Sequence, residues 1–330
     1  MISINPINIL FTSSGRRVSL IKKFREMYAH YLVEGKIVTA DNKKTAPTAF
    51  LSDVHVQVPR VNEADYVDSL LHICKEHQIQ ILIPLIDTEL LLLAYNKHRF
   101  EEIGVQIPIS SPELIKISND KNETYRFFVE HGIPTPKVYA DDEIIAKQYE
   151  LPLIIKPLDG SASNGVTKIR NEKELYFFKD YISNAMVQEY VFGEEYTIDV
   201  MVDFNGSIKT IVPRQRIETR AGEVSKGVTK KDAGIIQAVE KVINALPNPV
   251  GCITLQCFKK LNGEIVFIEI NPRFGGGIPL SIEAGANFPF WTVSICLGET
   301  FTEMDFSWKE DVTMLRYDEA IFTESVKHAN

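Results

Sequence analysis

Apolar positions in the first third of the chain alternate between short unbroken runs and helical spacing. Residues 7–11 (INILF) have the pattern of a buried strand. After the turn Ser13-Ser14-Gly15-Arg16-Arg17, Leu20, Ile21, Phe24 and Met27 recur at the spacing of one helix face. KIVTAD (36–41) and ILIPL (81–85) add two strands, and a helix from about Asn62 to His77 carries Val67, Leu70, Leu71 and Cys74 on one side. Such alternation predicts a small parallel sheet covered by helices.

The texture changes near residue 110. Ser111 and Pro112 open a helix with a capping residue and a proline at its first position, and Gly132-Ile133-Pro134-Thr135-Pro136 closes the helical stretch. Beyond 137 the strands are short: PLIIKP (152–157), GVTKI (165–169) and MVQEYV (186–191), with a helix capped by Asn171 and Glu174 before the last. This predicts a small α+β lobe. Asn205-Gly206 and Asn262-Gly263 predict two further hairpins with two-residue turns.

The second hairpin gathers the chemistry. With Asn262 and Gly263 as its central residues, pairing outward sets Gln256 opposite Glu269, and Asn271 shares their face. Ile268 and Ile270 occupy the other face, so the strand is half buried with its polar side available. A carboxylate and two amides offer the oxygen donors that a hard cation such as Mg²⁺ takes. Arg273 and Gly275-Gly276-Gly277 follow, adding a cation and a bare backbone that phosphates can approach. Elsewhere, Lys156 ends a strand beside the Gly/Ser segment Asp159–Gly165, an arrangement suited to binding phosphates under a closing loop.

Taken in order, Lys121, Lys156 with its Gly/Ser loop, Gln188-Glu189-Tyr190-Val191 with Gly193-Glu194-Glu195, Gln256, and Glu269-x-Asn271-Pro272-Arg273 resemble the ATP-grasp superfamily. The likeness is greatest to one synthetase unit of the carbamoyl-phosphate synthase large chain. It implies an α/β and α+β architecture: a Rossmann-like pre-ATP-grasp domain over 1–110, a lid subdomain over 111–192 and a catalytic subdomain over 193–330. It also implies roles. Lys121 and Lys156 hold phosphates, Lys156 also serving catalysis, and the loop with Ser161, Ser163 and Gly165 closes on them. Glu189, Tyr190 and Val191 meet the adenine, and Glu195 takes the ribose. Glu269, Asn271 and Gln256 hold Mg²⁺ or Mn²⁺, Gln256 also lying beside the nucleotide. Arg273 stabilises the transferring phosphoryl group.

The implied reaction is ATP-dependent ligation of a small carboxylate to an amine or ammonia through an acyl phosphate. A carbamoyl-phosphate synthase chain has two such units, whereas this one has a single unit, and lysines stand at 121 and 156 where those units often carry arginine. Both departures favour a stand-alone ligase over a subunit acting on bicarbonate or carbamate with partners. A non-catalytic ATP-binding sensor is the competing class. A dinucleotide oxidoreductase is disfavoured because the turn at 12–15 lacks the full glycine pattern.

Three features point to the acceptor. Arg214 and Arg216 share a strand face, and they or Arg220 are expected to bind its carboxylate, with Glu223 nearby. Arg16 and Arg17 at a helix start either hold an anionic group or are solvated. Asp87-Thr88-Glu89, just past a strand end, is a candidate floor of the substrate site.

Composition narrows the class further. At 330 residues the chain is expected to form several lobes, and the formal charge of -8 argues against a nucleic-acid partner. No apolar run reaches membrane length, and the arginines follow the first apolar segment where a secretory leader puts charge before it, so a cytoplasmic protein is expected. Cys74, Cys252, Cys257 and Cys296 form no CxxC pair and are expected as free thiols. A homodimer is left open.

Overall fold

The computed structural model describes residues 6–158 and 165–323. The first domain holds four parallel strands, β1 (Ile9–Thr12), β2 (Ile37–Asp41), β3 (Val54–Gln57) and β4 (Ile81–Pro84), in the order β3-β2-β1-β4. Helices α1 (Val18–Tyr31), α2 (Tyr66–Glu76) and α3 (Asp87–Glu101) cover it. Leu20, Ile21, Phe24 and Met27 are all buried, as their spacing requires.

Helix α4 (Pro112–Asn119) begins at Ser111, whose side chain accepts the Leu114 amide, and α5 (Lys121–Glu130) follows after a break at Asp120. A four-stranded antiparallel sheet then combines β5 (Val138–Tyr139), β6 (Leu153–Pro157), β7 (Thr167–Ile169) and β8 (Ala185–Glu189) in the order β5-β8-β6-β7. With α6 (Asp141–Ile145) and α7 (Glu172–Tyr181) it forms a small lobe where the lid is expected, whose own core contains Ile144, Leu153, Ile155, Ile169, Leu175 and Val187. Leu114, Phe127 and Phe128 of α4 and α5 belong to the core of the following sheet instead.

That sheet is the centre of the molecule. It joins β9 (Glu194–Val202), β10 (Ile208–Arg220), β11 (Glu223–Thr229), β12 (Gly251–Lys259), β13 (Ile265–Asn271) and β14 (Thr313–Leu315) in the order β13-β12-β9-β10-β11-β14, with α8 (Ala233–Ala245) against one face. Helices α9 (Pro279–Glu283) and α10 (Phe288–Cys296) pack on α1. One apolar core therefore runs across the junction, from Phe11 and Phe24 to Phe274, Ile278, Phe288 and Trp308. Ring pairs Phe11–Phe24 and Phe24–Phe274 stand edge-on at 4.9 and 6.0 Å between centroids. This shared core fixes the turn after β1 against the Gly275–Gly277 segment.

Both hairpin turns depart from the two-residue expectation. In the second, the Lys260 amide donates to Glu264 O and the Gly263 amide to Lys260 O, both at 2.9 Å, which makes a three-residue turn of Leu261, Asn262 and Gly263. Gly263 has φ +87 while Asn262 stays out of the left-handed region. The Asn-Gly pair therefore fills the last two positions of a right-handed turn closed by a glycine bulge, where a two-residue turn needs both residues left-handed. The first hairpin repeats this with Gly206 at φ +84 and the Gly206 amide on Asp203 O.

Among the described residues no helix is long and apolar enough to cross a membrane. All four cysteines are free thiols.

Candidate active site

The polar face of the β12–β13 hairpin carries the groups expected to hold a metal ion. Gln256 lies directly across from Glu269, and its Nε2 donates to Glu269 Oε2 at 2.7 Å. Gln256 Oε1 accepts from Arg216 Nη1 at 3.2 Å, so its oxygen is already used. Glu269 Oε1 takes no hydrogen bond among the described residues, and two positions on, Asn271 is buried with its Oδ1 accepting from Arg273 Nη2 at 3.1 Å. A carboxylate oxygen and an amide oxygen on one strand face are hard donors of the kind Mg²⁺ takes, usually alongside phosphate oxygens and water. The donor set thus fits a divalent ion through Glu269 and Asn271, with Gln256 holding the carboxylate in place.

Arg273 is fixed from the other side. Its Nη2 also donates to Asp87 Oδ2 at 2.8 Å, joining β13 to the start of α3 in the first domain. Asp87 thereby reaches the site, and Glu89 does not. Glu89 is fully buried and accepts from Ser13 Oγ, Tyr66 Oη and the amides of Leu85 and Ile86. Burial raises its pKa, and those donors oppose the shift. Its work is to tie the turn after β1 to the start of α3.

Arg216 ties this face to its neighbours, donating to Thr197 Oγ1, Gln256 Oε1 and Gly222 O, with Nε 3.2 Å from Glu195 Oε1. Burial raises the Glu195 pKa, with Arg216 opposing and Glu269 adding to the rise, which places all three charges in one cluster. From the lid, Lys156 faces the same cluster. Burial lowers its pKa to about 8; Glu269 opposes that shift and Lys121 adds to it. Lys121 Nζ donates to Leu158 O at 2.8 Å, at the end of β6. The expected phosphate loop residues Ser161 and Ser163 lie outside the described residues, while Gly165 leads into β7 at φ +75.

Between lid and large sheet runs the segment 189–193. Glu189 Oε2 accepts from the Lys137 amide at 3.3 Å and its other oxygen is 3.8 Å from Lys260 Nζ. Tyr190 lies under Lys168 Nζ, 3.6 Å from the ring centroid, and Val191 is buried with its backbone outside both flanking strands.

The three candidate acceptor arginines separate. Arg214 is buried and forks onto Asp199, with Nε to Oδ2 at 2.7 Å and Nη2 to Oδ1 at 3.0 Å. Asp199 also accepts from Ser281 Oγ at 2.6 Å, so the pair anchors α9 to the sheet. Arg220 is at the exposed end of β10, paired with Asp318 at 2.8 Å and away from the cluster around Glu269. Asp199 was not singled out by motif. Its signal was a lone carboxylate inside the apolar run YTIDVMV.

Most of the chain matches known protein families. Residues 9–108 match the family "PylC-like, N-terminal domain" and residues 118–277 match the family "ATP-grasp domain". The chain belongs to the ATP-grasp superfamily. The D-alanine--D-alanine ligase of Petrotoga mobilis is 28% identical over 189 residues, 52% of this chain and 62% of that protein. The carbamoyl-phosphate synthase of Methanobrevibacter smithii is 24% identical over 159 residues, 46% of this chain and 43% of that protein. The chain spans less than two thirds of either relative. Among solved structures, N5-carboxyaminoimidazole synthetase from Staphylococcus aureus complexed with ADP superposes at a TM-score of 0.71, with 18% identity over 90% of this chain and 79% of that one. The L-amino acid ligase from Bacillus licheniformis superposes at 0.67, with 15% identity over 89% of this chain and 75% of that one. Both share the fold of this ATP-grasp chain. Likeness to two kinds of ligase at once holds at the level of the superfamily, above any one of its activities.

Proposed function

We propose that this chain is an ATP-dependent carboxylate–amine ligase acting through an acyl phosphate. The observation that carries the reading is the polar face of β13, where Gln256 holds the Glu269 carboxylate and the Asn271 oxygen meets Arg273, with the charge of Lys156 near enough for Glu269 to act on it. Phosphoryl transfer asks the protein for positioning and positive charge more than for covalent chemistry, and these residues supply both.

In this reading Lys121 and Lys156 bind the phosphates from the lid side, and the Glu189–Val191 segment takes the adenine, with Glu195 at the ribose. Glu269 and Asn271 hold Mg²⁺, oriented by Gln256. The ion neutralises phosphate charge when bound. Arg273, held by Asp87 and Asn271, stabilises charge on the transferring group. A carboxylate oxygen of the substrate bonds to the γ-phosphorus as the bond to ADP breaks. The amine nitrogen then bonds to the acyl carbon, the carbon–oxygen bond to phosphate breaks with its electron pair leaving on phosphate, and the proton of the amine passes to the released phosphate.

The test is release of ADP and phosphate in stoichiometry with an amide product, screened over pools of small carboxylic acids and amines with MgATP. Acceptor-dependent release supports the reading. Tight ATP binding with no release across the screen would favour a nucleotide-sensing module, and release driven by bicarbonate alone would favour carbamoyl-phosphate synthase chemistry.

A further inference from the structure

Glu89 is a carboxylate with no exposed surface, and the proposed chemistry does not use it. Its two oxygens take four donors from three segments of the first domain. Oε1 accepts the Leu85 amide at 2.9 Å and the Ile86 amide at 3.3 Å, while Oε2 accepts Tyr66 Oη at 2.5 Å and Ser13 Oγ at 2.9 Å. Tyr66 is the first residue of α2, and Ser13 directly follows β1. Four donors and the N-terminal end of α3 favour the ionised form and offset the cost of burying it.

The bonds to Leu85 and Ile86 close the first turn of α3, in which Asp87 is the first helical residue and Glu89 the third. That turn sets Asp87 where it reaches across the domain junction to Arg273 Nη2 at 2.8 Å. Arg273 depends on the contact. Asp87 is its one carboxylate partner among the described residues. Its other bonds go to Phe274 O at 3.3 Å and Asn271 Oδ1 at 3.1 Å, and its buried Nε has no partner among the described residues. A run of fixed contacts therefore leads from Glu89 through the first turn of α3 to Asp87, Arg273 and the Asn271 oxygen.

We infer that Glu89 is a positioning residue for the phosphoryl-transfer step: it acts through Asp87 on Arg273 and sets where that guanidinium stands against the transferring group. The inference rests on the ligase reading, in which Arg273 meets that group. A misplacement of about 1 Å in a group that stabilises a transition state costs up to about 100-fold in rate. A guanidinium on a long side chain moves that far by small torsions. In the same reading the adenine, the ribose and the ground-state phosphates have other partners, so loss of alignment falls on kcat. A purely structural Glu89 would instead lower the folded fraction and leave the rate per folded molecule unchanged.

The experiment uses the full chain with MgATP and pools of small carboxylic acids and amines. Glu89→Gln, Asp87→Ala and the double variant are compared with wild type by acceptor-dependent ADP release per folded molecule. Glutamine keeps the shape of the side chain, and the Ser13 and Tyr66 hydroxyls can turn to accept from its amide. Glu89→Gln is expected to lower kcat by about 10–100-fold while the KM for ATP stays within about twofold. In the double variant kcat is expected within about twofold of Asp87→Ala alone, because the path is already cut. An unchanged kcat in Glu89→Gln, a rise in KM alone, or losses that multiply in the double variant overturns the positioning role and leaves the ligase reading standing. Tyr66→Phe removes one of the four bonds and keeps the carboxylate, and it takes the place of Glu89→Gln in the same cycle if that variant does not fold. If no acceptor stimulates ADP release from wild type, the ligase reading fails. The link is then judged by the Tm of Glu89→Gln, Arg273→Gln and their double variant: a double variant that loses no more than the larger single loss supports it, and additive losses overturn it.

Discussion

Gln256 Nε2 donates to Glu269 Oε2 at 2.7 Å, while Gln256 Oε1 accepts from Arg216. The amide therefore bridges the Glu269 carboxylate to the Arg216 guanidinium. One oxygen of Glu269 is held by this bond and the other is left for a cation. Glu269→Gln is expected to lower acceptor-dependent turnover by about 10²–10³-fold, the scale of losing one main electrostatic contact to the reacting group. Circular dichroism should show the fold unchanged, and a near-normal rate would remove Glu269 from the chemistry.

Gln256→Leu keeps the carboxylate and removes the amide that orients it, together with one acceptor of Arg216. The expected result is a loss of about 10–100-fold in apparent Mg²⁺ affinity, as for other outer partners of metal ligands. The dependence of rate on Mg²⁺ concentration at fixed ATP measures it. Maximal rate at saturating Mg²⁺ should recover most of its value.

Lys156 links activity to pH. Its pKa of about 8 in the free protein means that it loses its charge as pH rises through 8, and with it the attraction for phosphate. The kcat/KM for ATP should fall on the alkaline side with an apparent pKa near 8. Bound triphosphate favours the charged lysine, so the limb in kcat should lie at higher pH. Lys156→Arg, which does not titrate in this range, should abolish the limb near 8. In stability the sign is opposite. Between about 8 and the ordinary value of 10.5 the native chain binds fewer protons at this site than the unfolded chain, so the lysine's contribution to stability increases with pH there.

The Arg214–Asp199 pair should matter for stability. Asp199→Ala leaves a buried guanidinium without its fork partner and strips Ser281 of its acceptor. The expected cost is about 3–5 kcal/mol, measured by urea unfolding. A loss below 1 kcal/mol, on the order of an exposed ion pair, would show that the pair is dispensable.

Gly277 tests the same pair from the opposite side. A Cβ there would lie 2.4 Å from Arg214 Nη1 and 2.5 Å from Val224 Cγ1, and Arg214 cannot swing away without breaking its bonds to Asp199. Gly277→Ala is expected to destabilise the protein by about 1–3 kcal/mol, the range for overpacking. A Tm within a degree of wild type would refute the contact.

Local pattern determined a good deal. The spacing of Leu20, Ile21, Phe24 and Met27 dictated α1, Ser111 and Asn171 marked their helix starts, and the polar residues of β13 marked the strand face that carries chemistry. The pairing of Gln256 with Glu269 was also legible, but through a turn that differs from the expected one. The three-residue turn at Leu261–Gly263 shifts the register by one residue, and a bulge between Gln256 and Cys257 on β12 and their partners on β13 shifts it back. Hydrogen-bond closure of a turn is local, but which ladder position absorbs an extra residue is decided by the neighbouring strand β9, whose pairing with β12 runs unbroken from Gly251 to Lys259.

Tertiary structure alone decided the rest. Sequence spacing cannot tell which of several arginines finds a carboxylate, because an ion pair is set by which elements the core brings together. Arg214 was drawn inward to Asp199, Arg273 to Asp87 across the domain junction, and Arg220 outward to Asp318. The packing of Phe11 and Phe24 on Phe274 sets the start of α1 against Gly276. The sequence determined that the chain carries cations and oxygen donors on strand faces and helix starts, since periodicity fixes faces; only the shared apolar core decided which of those groups meet.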